Sequence, residues 1–544
     1  MRALWALILT VAVVFLLVTQ RPSAVPTPTT DAAALALAVA PAPAFPLIDR
    51  RERMAAAFPV IDRRMADYAA AEHIPGLSWG LVIDDQLAHV GVSGLRDVAV
   101  NAPVTPDTIF RIASMTKSFT AMAILKLRDE GRLSLDDPAE RYVPELRQWR
   151  GPTDDSPRIT VRHLLSHSAG FPEDNPWGDQ QLDLTEEDFT AMLSRGMSFS
   201  TAPGTAYEYS NYGFAILGRV ISRVAGVPYR QYIQREVLDP LGMTATTLEP
   251  AQVNEALRAR GYRWEDAQWK EEPPLPDGAF GAMGGMLTSM SDLSRYVAAM
   301  LSAWPPRDGA DNGPVRRASL REMQQVARIR PATVGYTPTS DALQLFSGGY
   351  GYGLRISQTC DFGHVVAHGG GLPGFGSVMQ WLPEYGVGII VFGNRTYAGF
   401  GGVANEAMAA LAATGGLVPR QMAPSPALQH ARSEVLALLE GWSDDRAQAL
   451  AAINLFRDRS LERRRAEFAA LHEAVGSCRD SGVYLPLENP LRGIWTLDCQ
   501  RGTVRAEVTL APTVPPLVQH LDVTQVPPGS VQPAPTCAAT AAAR

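Results

Sequence analysis

The chain has 544 residues, a length that suggests two to four domains. Its 46% hydrophobic and 19% charged composition is typical of a globular protein with a large core and excludes disorder throughout. The formal net charge of −7 gives no support to nucleic-acid binding, and the arginine run 463–465 is most simply a solvated helix face.

The N-terminal segment has the pattern of an export signal. Arg2 precedes an apolar run from Leu4 to Val18, which is short for a membrane span. We interpret residues 1–24 as a signal peptide or an uncleaved anchor, because the sequence around Ser23 is a poor cleavage site. We therefore expect export to the periplasm or the extracellular space, with tethering to the inner membrane as the alternative. Residues 25–47 are rich in Pro, Ala and Thr and predict a linker.

Residues 48–418 contain strand patterns at both ends and helical patterns between them. Residues 48–73 predict an Ala-rich helix, and a hairpin over residues 77–92 turns at Asp84-Asp85. Three further strand patterns lie between residues 364 and 394. The sequence therefore predicts an α/β fold in which one antiparallel sheet is flanked by helices beside a mainly helical lobe. A cleft between these two parts is the natural place for a site.

A second folded part follows a Pro-containing linker near residue 418. Residues 427–530 change from a helical pattern to three strand patterns, which predicts a small α+β accessory domain. Residues 531–544 are a low-complexity tail. Four cysteines allow three pairings in an oxidising compartment. We prefer Cys478 with Cys499, because both lie in the C-terminal domain, and this leaves Cys360 and Cys537.

The strongest chemical motif is Ser114-Met115-Thr116-Lys117 at the start of a helical pattern. Ser114 and Lys117 are three residues apart, so they share one face of the first turn. A serine hydroxyl needs a base to become a nucleophile, and a lysine is a base only where burial keeps it neutral. We therefore predict that Ser114 is the nucleophile and Lys117 its general base.

Lysine is rare in this chain, which strengthens the prediction for Lys117. Only Lys117, Lys126 and Lys270 stand among 49 basic residues, and the others are arginines. An arginine cannot deprotonate usefully, whereas a buried lysine can. Lys117 is also the lysine of the single Ser-x-x-Lys pattern in the sequence.

Two further motifs complete a candidate site. Tyr209-Ser210-Asn211 lies between a Pro-Gly turn and an apolar helix pattern, where Tyr209 can pass a proton and Asn211 can hold Lys117 and the substrate. His368 and three glycines end a strand pattern, and glycines at a strand edge allow a substrate backbone to approach closely. The sequence has no HExxH, CxxC or GxxxxGK motif, so we expect neither metal nor cofactor.

These motifs, in this order, resemble the active-site serine enzymes of the penicillin-binding-protein and class C β-lactamase family. The resemblance covers about residues 50–415 and includes the segments LLSHSAGF, DPLGMTATTL and HGGGLPGFGS. It implies the β-lactamase/transpeptidase-like fold, an acyl-enzyme at Ser114, and a role for Tyr209 in proton transfer. It further assigns substrate binding and the oxyanion hole to the other matching positions, namely Asn211, His368, Gly369, Gly370 and Gly371, with the N–H groups of Ser114 and Gly371 as oxyanion donors.

Some residues of the matching segments have no chemical role in the prediction. Arg111, Ser166 and His167 lie in family-typical segments, and we interpret Ser166 and His167 as parts of the loop architecture.

His368 departs from the lysine that β-lactamases and D-alanyl-D-alanine carboxypeptidases of this type usually carry. A histidine is mostly neutral at pH 7 and is a weaker anchor for a substrate carboxylate. The His-x-Gly form resembles that of the esterase and D-aminopeptidase branches of the family. The resemblance therefore implies a secreted serine hydrolase of small esters, amides or peptides, esterase-like or a D-amino-acid peptidase. A β-lactamase or carboxypeptidase is the first alternative, and a binding scaffold without turnover is the second. The sequence does not predict an oligomeric state.

Overall fold

Strands from opposite ends of the catalytic region share one sheet in the computed structural model. The structure describes residues 42–337, 340–359, 361–484, 487 and 489–527. Within that range the chain forms two compact units, which meet in sequence between Gln421 and Met422. The predicted segments 1–24 and 531–544, most of the linker 25–47, and Cys360 and Cys537 lie outside the described residues.

The large sheet of the first unit has ten strands among the described residues, in the order β3-β2-β1-β14-β13-β12-β11-β10-β8, with β9 paired to β10. All of its pairings are antiparallel. The strands of this unit, including two short two-stranded pairs, are β1 (Gly76–Ile83), β2 (Gln86–Asp97), β3 (Ala102–Pro103), β4 (Phe110–Arg111), β5 (Tyr262–Glu265), β6 (Gln268–Glu271), β7 (Leu287–Thr288), β8 (Arg328–Ile329), β9 (Thr333–Thr337), β10 (Ser340–Tyr350), β11 (Arg355–Gln358), β12 (Val365–Leu372), β13 (Phe375–Leu382) and β14 (Val387–Gly393).

The central strands are covered on both faces, which explains why their sequences are nearly continuous apolar runs. Every residue of β1, β13 and β14 is buried. One face packs against the helices Phe58–Ala71 and Gly401–Ala413, and the other face packs against Met290–Ser302 and the helical lobe. A strand covered on both sides gains from an apolar residue at every position, so it loses the usual alternation.

The helical lobe is built around Thr116–Asp129, which is buried along nearly its whole length. The helix Asn211–Ala225 packs directly on it. The remaining α-helices of this unit are Arg50–Ala55, Val161–Leu165, Glu186–Arg195, Tyr229–Ile233, Gly281–Gly284 and Arg317–Met323. The lobe therefore fixes the first two motifs relative to one another through helix packing.

The second unit is a small α+β domain, as the sequence predicts. The helices Pro426–Glu440, Asp444–Leu450, Leu455–Asp458 and Leu461–Val475 precede an antiparallel sheet. Its strands follow one another in the order β15 (Cys478–Tyr484), β16 (Arg492–Cys499), β17 (Gly502–Leu510) and β18 (Val518–Val526). Cys478 and Cys499 form a disulfide bond between β15 and β16, which agrees with the preferred pairing.

The fold confirms the predicted class and corrects some local detail. Asp84 and Asp85 form the turn of the β1–β2 hairpin with φ values of +51° and +63°, which suits a tight two-residue turn. The predicted helix 48–73 is two helices, Arg50–Ala55 and Phe58–Ala71, and Pro59 lies in the first turn of the second. Within the described residues, no helix combines the length and the apolar character that a membrane crossing requires.

Candidate active site

Ser114 lies in a tight turn that aims its hydroxyl into the site. The residues Ala113–Met115 form one 3₁₀ turn, which leads directly into the helix Thr116–Asp129. Ala113 has φ of +48°, in the left-handed region that non-glycine residues rarely adopt. The hydroxyl of Thr116 donates to the carbonyl of Ala113 at 2.7 Å and holds this turn in place. Such strain is typical of turns that present a reactive side chain.

The amino group of Lys117 contacts the hydroxyl of Ser114. Lys117 Nζ lies 3.0 Å from Ser114 Oγ and donates to Asn211 Oδ1 at 2.6 Å and to the carbonyl of Met283 at 2.8 Å. A neutral amine has two N–H donors and one lone pair. The two carbonyl-type acceptors use both donors, so the lone pair is left to accept the Ser114 proton.

Burial prepares Lys117 to act as a base. Its side chain is fully buried, and this burial lowers its pKa from 10.5 to about 7. The charges of Asp179 and Asp174 oppose the shift, whereas that of Arg355 supports it. An ordinary lysine is almost fully protonated at neutral pH, so this shift produces the neutral form that the chemistry needs.

Tyr209 is suited to pass a proton. It is buried beside Lys117, whose Nζ lies 4.9 Å from the centre of the Tyr209 ring, and its hydroxyl is hydrogen-bonded to the side chain of Ser114. Burial raises the pKa of Tyr209 above its usual value, and the Ser114 hydrogen bond offsets this only in part. Tyr209 therefore remains a neutral phenol, and Lys117 is the better candidate for the base.

A loop over residues 173–179 fixes Asn211 at the start of its helix. Asp174 accepts from the backbone N–H groups of Asn211 and Tyr212 at 2.7 and 2.8 Å, and so binds the exposed donors of the helix N-terminus. The amide of Asn211 donates to Asn175 Oδ1 at 2.6 Å. With its nitrogen so engaged, Asn211 presents its oxygen to Lys117.

His368 has both ring nitrogens engaged within the protein. Its Nδ1 lies 2.6 Å from the carbonyl of Gly369, which can only accept, so Nδ1 carries the proton. Its Nε2 then accepts from the hydroxyl of Tyr350 at 2.9 Å. His368 is 1% exposed, and burial holds its pKa well below its usual range. The neutral ring has no N–H to offer a substrate, so its contribution is to position β12.

The glycine-containing end of β12 lies against the turn that carries Ser114, here called the nucleophile turn. A methyl group on Gly370 would overlap the carbonyl oxygen of Ile112 and the hydroxyl of Ser377. Ser377 Oγ donates to that same carbonyl at 2.9 Å and links β13 to the turn. In the described residues, β11 pairs with β12 no further than Ala367, so Gly369 to Gly371 form an open strand edge beside Ser114. A substrate can add to this edge as an extended strand, with the N–H of Gly371 near its carbonyl.

The structure thus brings all eight sequence-predicted residues into one site. A family model described as Beta-lactamase matches residues 61–413, more than half of the chain. This chain belongs to the Beta-lactamase family. Its members are serine hydrolases and acyltransferases of this fold, so the family resemblance in the sequence is confirmed.

Relatives of this β-lactamase-family chain include proteins named for penicillin binding. Protein flp of Staphylococcus aureus (strain COL) is 30% identical over 325 residues, which cover 59% of this chain and 60% of that protein. Penicillin-binding protein 4* of Bacillus subtilis (strain 168) is 24% identical, covering 56% of this chain and 64% of that protein. The chain therefore matches about three fifths of the length of these curated relatives.

A solved structure has the same fold. The octameric penicillin-binding protein homologue from Pyrococcus abyssi aligns with a TM-score of 0.55 and 22% sequence identity, covering 86% of this chain and 99% of that chain. At this identity the likeness shows the fold alone.

Arg355 is a site residue that motif reasoning missed. It lies on β11 with an exposed side chain, and its guanidinium is 6.0 Å from the centre of the Tyr209 ring. Among the described residues no ion pair engages it. Arg355 stands one strand away from His368 and gives this β-lactamase-family site a permanent cation that His368 does not supply. An isolated arginine carries no sequence signal, so only the strand pairing reveals it.

His167 supports the catalytic loop, as its assignment to loop architecture predicts. Its Nδ1 accepts from the N–H of Ser210 at 3.0 Å, and its ring packs 4.3 Å from that of Tyr209. Ser166 Oγ donates to the carbonyl of Arg162 at 2.8 Å within the same loop. Arg111 forms a buried ion pair with Asp277 at 3.2 Å. All three residues are buried and have partners within the protein.

Proposed function

We propose that this serine hydrolase of the Beta-lactamase family cleaves an ester or amide through an acyl-enzyme on Ser114. The 3.0 Å contact between the fully buried amino group of Lys117 and Ser114 Oγ carries the proposal. An esterase-like activity is the main candidate, and cleavage of D-amino-acid peptides is the next.

The proposed reaction has two halves. In acylation, Lys117 takes the proton of Ser114, Oγ bonds to the substrate carbonyl carbon, and the N–H groups of Ser114 and Gly371 stabilise the oxyanion. As the intermediate collapses, Tyr209 gives its proton to the leaving group and regains one from Lys117. In deacylation a water molecule loses a proton to the same pair and attacks the acyl carbon, and Ser114 Oγ leaves with that proton.

A short-chain nitrophenyl ester and a fluorophosphonate probe test this assignment. We expect wild type to hydrolyse the ester and to gain one probe mass on the peptide that contains Ser114. Ser114→Ala should abolish both signals. Ser118→Ala is the matched control, because Ser118 lies in the helix that follows Ser114 and its hydroxyl donates to the carbonyl of Met115. Equal reaction of wild type and Ser114→Ala would refute the assignment.

Arg355 favours a second candidate, a carboxypeptidase or β-lactamase. A guanidinium beside Tyr209 can hold a carboxylate on the leaving-group side of the scissile bond. Turnover of nitrocefin, or release of D-alanine from a peptide ending in D-Ala-D-Ala, tests it. In that case Arg355→Gln should raise KM for the carboxylate substrate more than for a neutral ester. A stable acyl adduct without turnover would instead support a binding scaffold.

We propose further that the protein acts after export. The apolar segment Leu4–Val18 and the disulfide bond between Cys478 and Cys499 support this location, since disulfides persist in oxidising compartments. Fractionation of cells that express the full chain, with N-terminal sequencing of the mature protein, tests export and decides between cleavage and anchoring. Recovery of the uncut chain in the cytoplasm would contradict the proposal.

A further inference from the structure

A buried carboxylate near the catalytic residues has an oxygen without a partner. Asp179 is 2% exposed. Its Oδ2 accepts from the hydroxyl of Tyr397 at 3.2 Å, and its Oδ1 is buried with no hydrogen-bond partner. Burial raises the pKa of Asp179 to about 6, while the charge of Lys117 favours the ionised form. A buried carboxylate without a partner is stabilised by a hydrogen-bond donor, and most strongly by a donor that carries a positive charge.

The hydrogen bond between Asp179 and Tyr397 connects the segment packed on Asn211 with β12. The residue before Asp179, Gly178, is packed so closely on Asn211 that a Cβ on it would lie 2.6 Å from Asn211 Cβ. On β12, a Cβ on Gly371 would lie 2.9 Å from Tyr397 Cδ1. The Asp179–Tyr397 pair therefore reaches from the neighbourhood of Asn211 to that of Gly371 on β12.

The other two acidic groups of this loop each have a hydrogen-bond partner within the protein. Asp174 binds the helix N-terminus through the N–H groups of Asn211 and Tyr212. Glu173 Oε1 accepts from the amide of Asn175 at 2.9 Å. Asp179 Oδ1 is the buried carboxylate oxygen of this loop that has no hydrogen-bond partner, whereas the cation Arg355 lies beside Tyr209. Asp179 therefore places a carboxylate on the side of Tyr397 and Gly371, and Arg355 places a cation beside Tyr209.

We propose that Asp179 binds the ammonium group of the substrate's acyl part, so that the preferred substrates are esters or amides of amino acids with a free α-amine. This substrate class rests on the acyl-enzyme function proposed above. When an acyl carbonyl on Ser114 lies at the N–H of Gly371, its α-carbon and amine continue between Asn211 and β12. The ammonium then supplies Asp179 Oδ1 with the charge-assisted donor that the protein lacks.

Matched substrates that differ only in the amine test the proposal. We use the nitrophenyl esters of alanine, in both D and L forms, of N-acetyl-alanine and of propionic acid, which has no amine. For wild type we expect kcat/KM to favour one free-amine ester over its N-acetyl form by about 30-fold or more, the scale of a buried charge pair. In Asp179→Asn this preference should collapse towards unity.

Two further variants keep the test independent of folding. Tyr397→Phe removes the hydroxyl that orients Asp179 and should reduce the same preference in part. Asp183→Asn changes an exposed carboxylate that follows this loop in the chain and should leave the preference as in wild type.

Three outcomes would overturn the proposal. Equal hydrolysis of the three classes of ester by wild type is the first, and retention of the preference by Asp179→Asn is the second. A third contrary result is an equal loss on all esters with accumulation of the acyl-enzyme, which would make Asp179 a base for the deacylating water. If no ester or fluorophosphonate labels Ser114, the acyl-enzyme function itself is wrong. Labelling of Ser114 without a preference for the free amine would contradict only the role of Asp179.

Discussion

The side-chain oxygen of Asn211 accepts a 2.6 Å hydrogen bond from the amino group of Lys117, which lies 94 residues earlier in the chain. This bond joins the first two motifs, and the packing of their helices holds it inside the helical lobe. Lys117 is therefore oriented with its lone pair towards Ser114 before any substrate arrives. Such preorganisation is what allows a general base to act without rearrangement.

Replacement of Lys117 by arginine tests its role as base. Arg keeps the positive charge but cannot lose its proton near neutral pH, so we expect kcat/KM for an ester to fall about 10²- to 10⁴-fold. Lys126→Arg is the control, since Lys126 forms ion pairs with Glu130 and Glu236 on the surface and should tolerate the change. Activity of Lys117→Arg within tenfold of wild type would rule out this lysine as the base.

The pH profile of acylation should follow the protonation of Lys117. The base acts when neutral, so kcat/KM should rise with pH through a midpoint near about 7, the pKa of Lys117. Loss of the negative charge in Asp179→Asn removes support for the protonated form and should move the midpoint to lower pH. Arg355→Gln removes an opposing positive charge and should move it to higher pH. Two shifts in the same direction would contradict this electrostatic account.

The buried lysine should also make stability depend on pH. Its pKa is about 7 in the folded protein, against 10.5 for an ordinary lysine, so the unfolded chain binds more protons between these values. Burial of the charged amino group destabilises the folded protein. This effect is fully present below pH 7 and is lost as the pH rises towards 10.5. Lys117→Met should therefore be more stable than wild type at pH 6, and this difference in the free energy of unfolding should shrink by pH 9. Urea denaturation of both proteins at pH 6, 7.5 and 9 measures this difference. A difference that grows with pH would contradict the lowered pKa of Lys117.

Local motifs made the centre of the site predictable from sequence. Ser114 and Lys117 are neighbours on one helical turn, and Tyr209 and Asn211 flank one loop, so their chemistry is visible in short segments. The hairpin at Asp84 and the three late strands were equally visible, because turn residues bound apolar runs. Helix packing then brings these segments together without any signal beyond their order.

The edges of the site were not predictable, because they depend on contacts between distant single residues. Asp179 meets Tyr397 across 218 positions of sequence, and neither lies in a recognisable motif. Arg355 becomes part of the site only through the pairing of β11 with β12. The neutrality of His368 was expected, but its engagement by Tyr350 was not, since a strand pattern does not specify a side-chain partner.

The disulfide bond should stabilise the C-terminal unit without affecting catalysis. Cys478 and Cys499 are 21 positions apart, and a bridge over a loop of this size contributes about 3 kcal/mol. We expect Cys478→Ser combined with Cys499→Ser to lower the unfolding transition of that unit while esterase activity at 25 °C is retained. Calorimetry and the nitrophenyl ester assay on the same samples measure both effects, and parallel loss of the two would show that the unit is required for activity.

The close contact between Gly370 and the nucleophile turn predicts that alanine at Gly370 reduces activity far more than alanine at Gly369. A methyl group on Gly370 would overlap the carbonyl oxygen of Ile112, so Gly370→Ala should push β12 away from Ser114 and lower kcat about 100-fold, the usual scale for misplacement by about 1 Å. A methyl group on Gly369 would find its nearest neighbour, the carbonyl oxygen of Ser377, at 3.6 Å. Gly369→Ala should therefore lose far less activity. Single-turnover acylation by the nitrophenyl ester isolates the affected step, and equal losses in the two variants would show that the separation of β12 from the turn does not limit the rate.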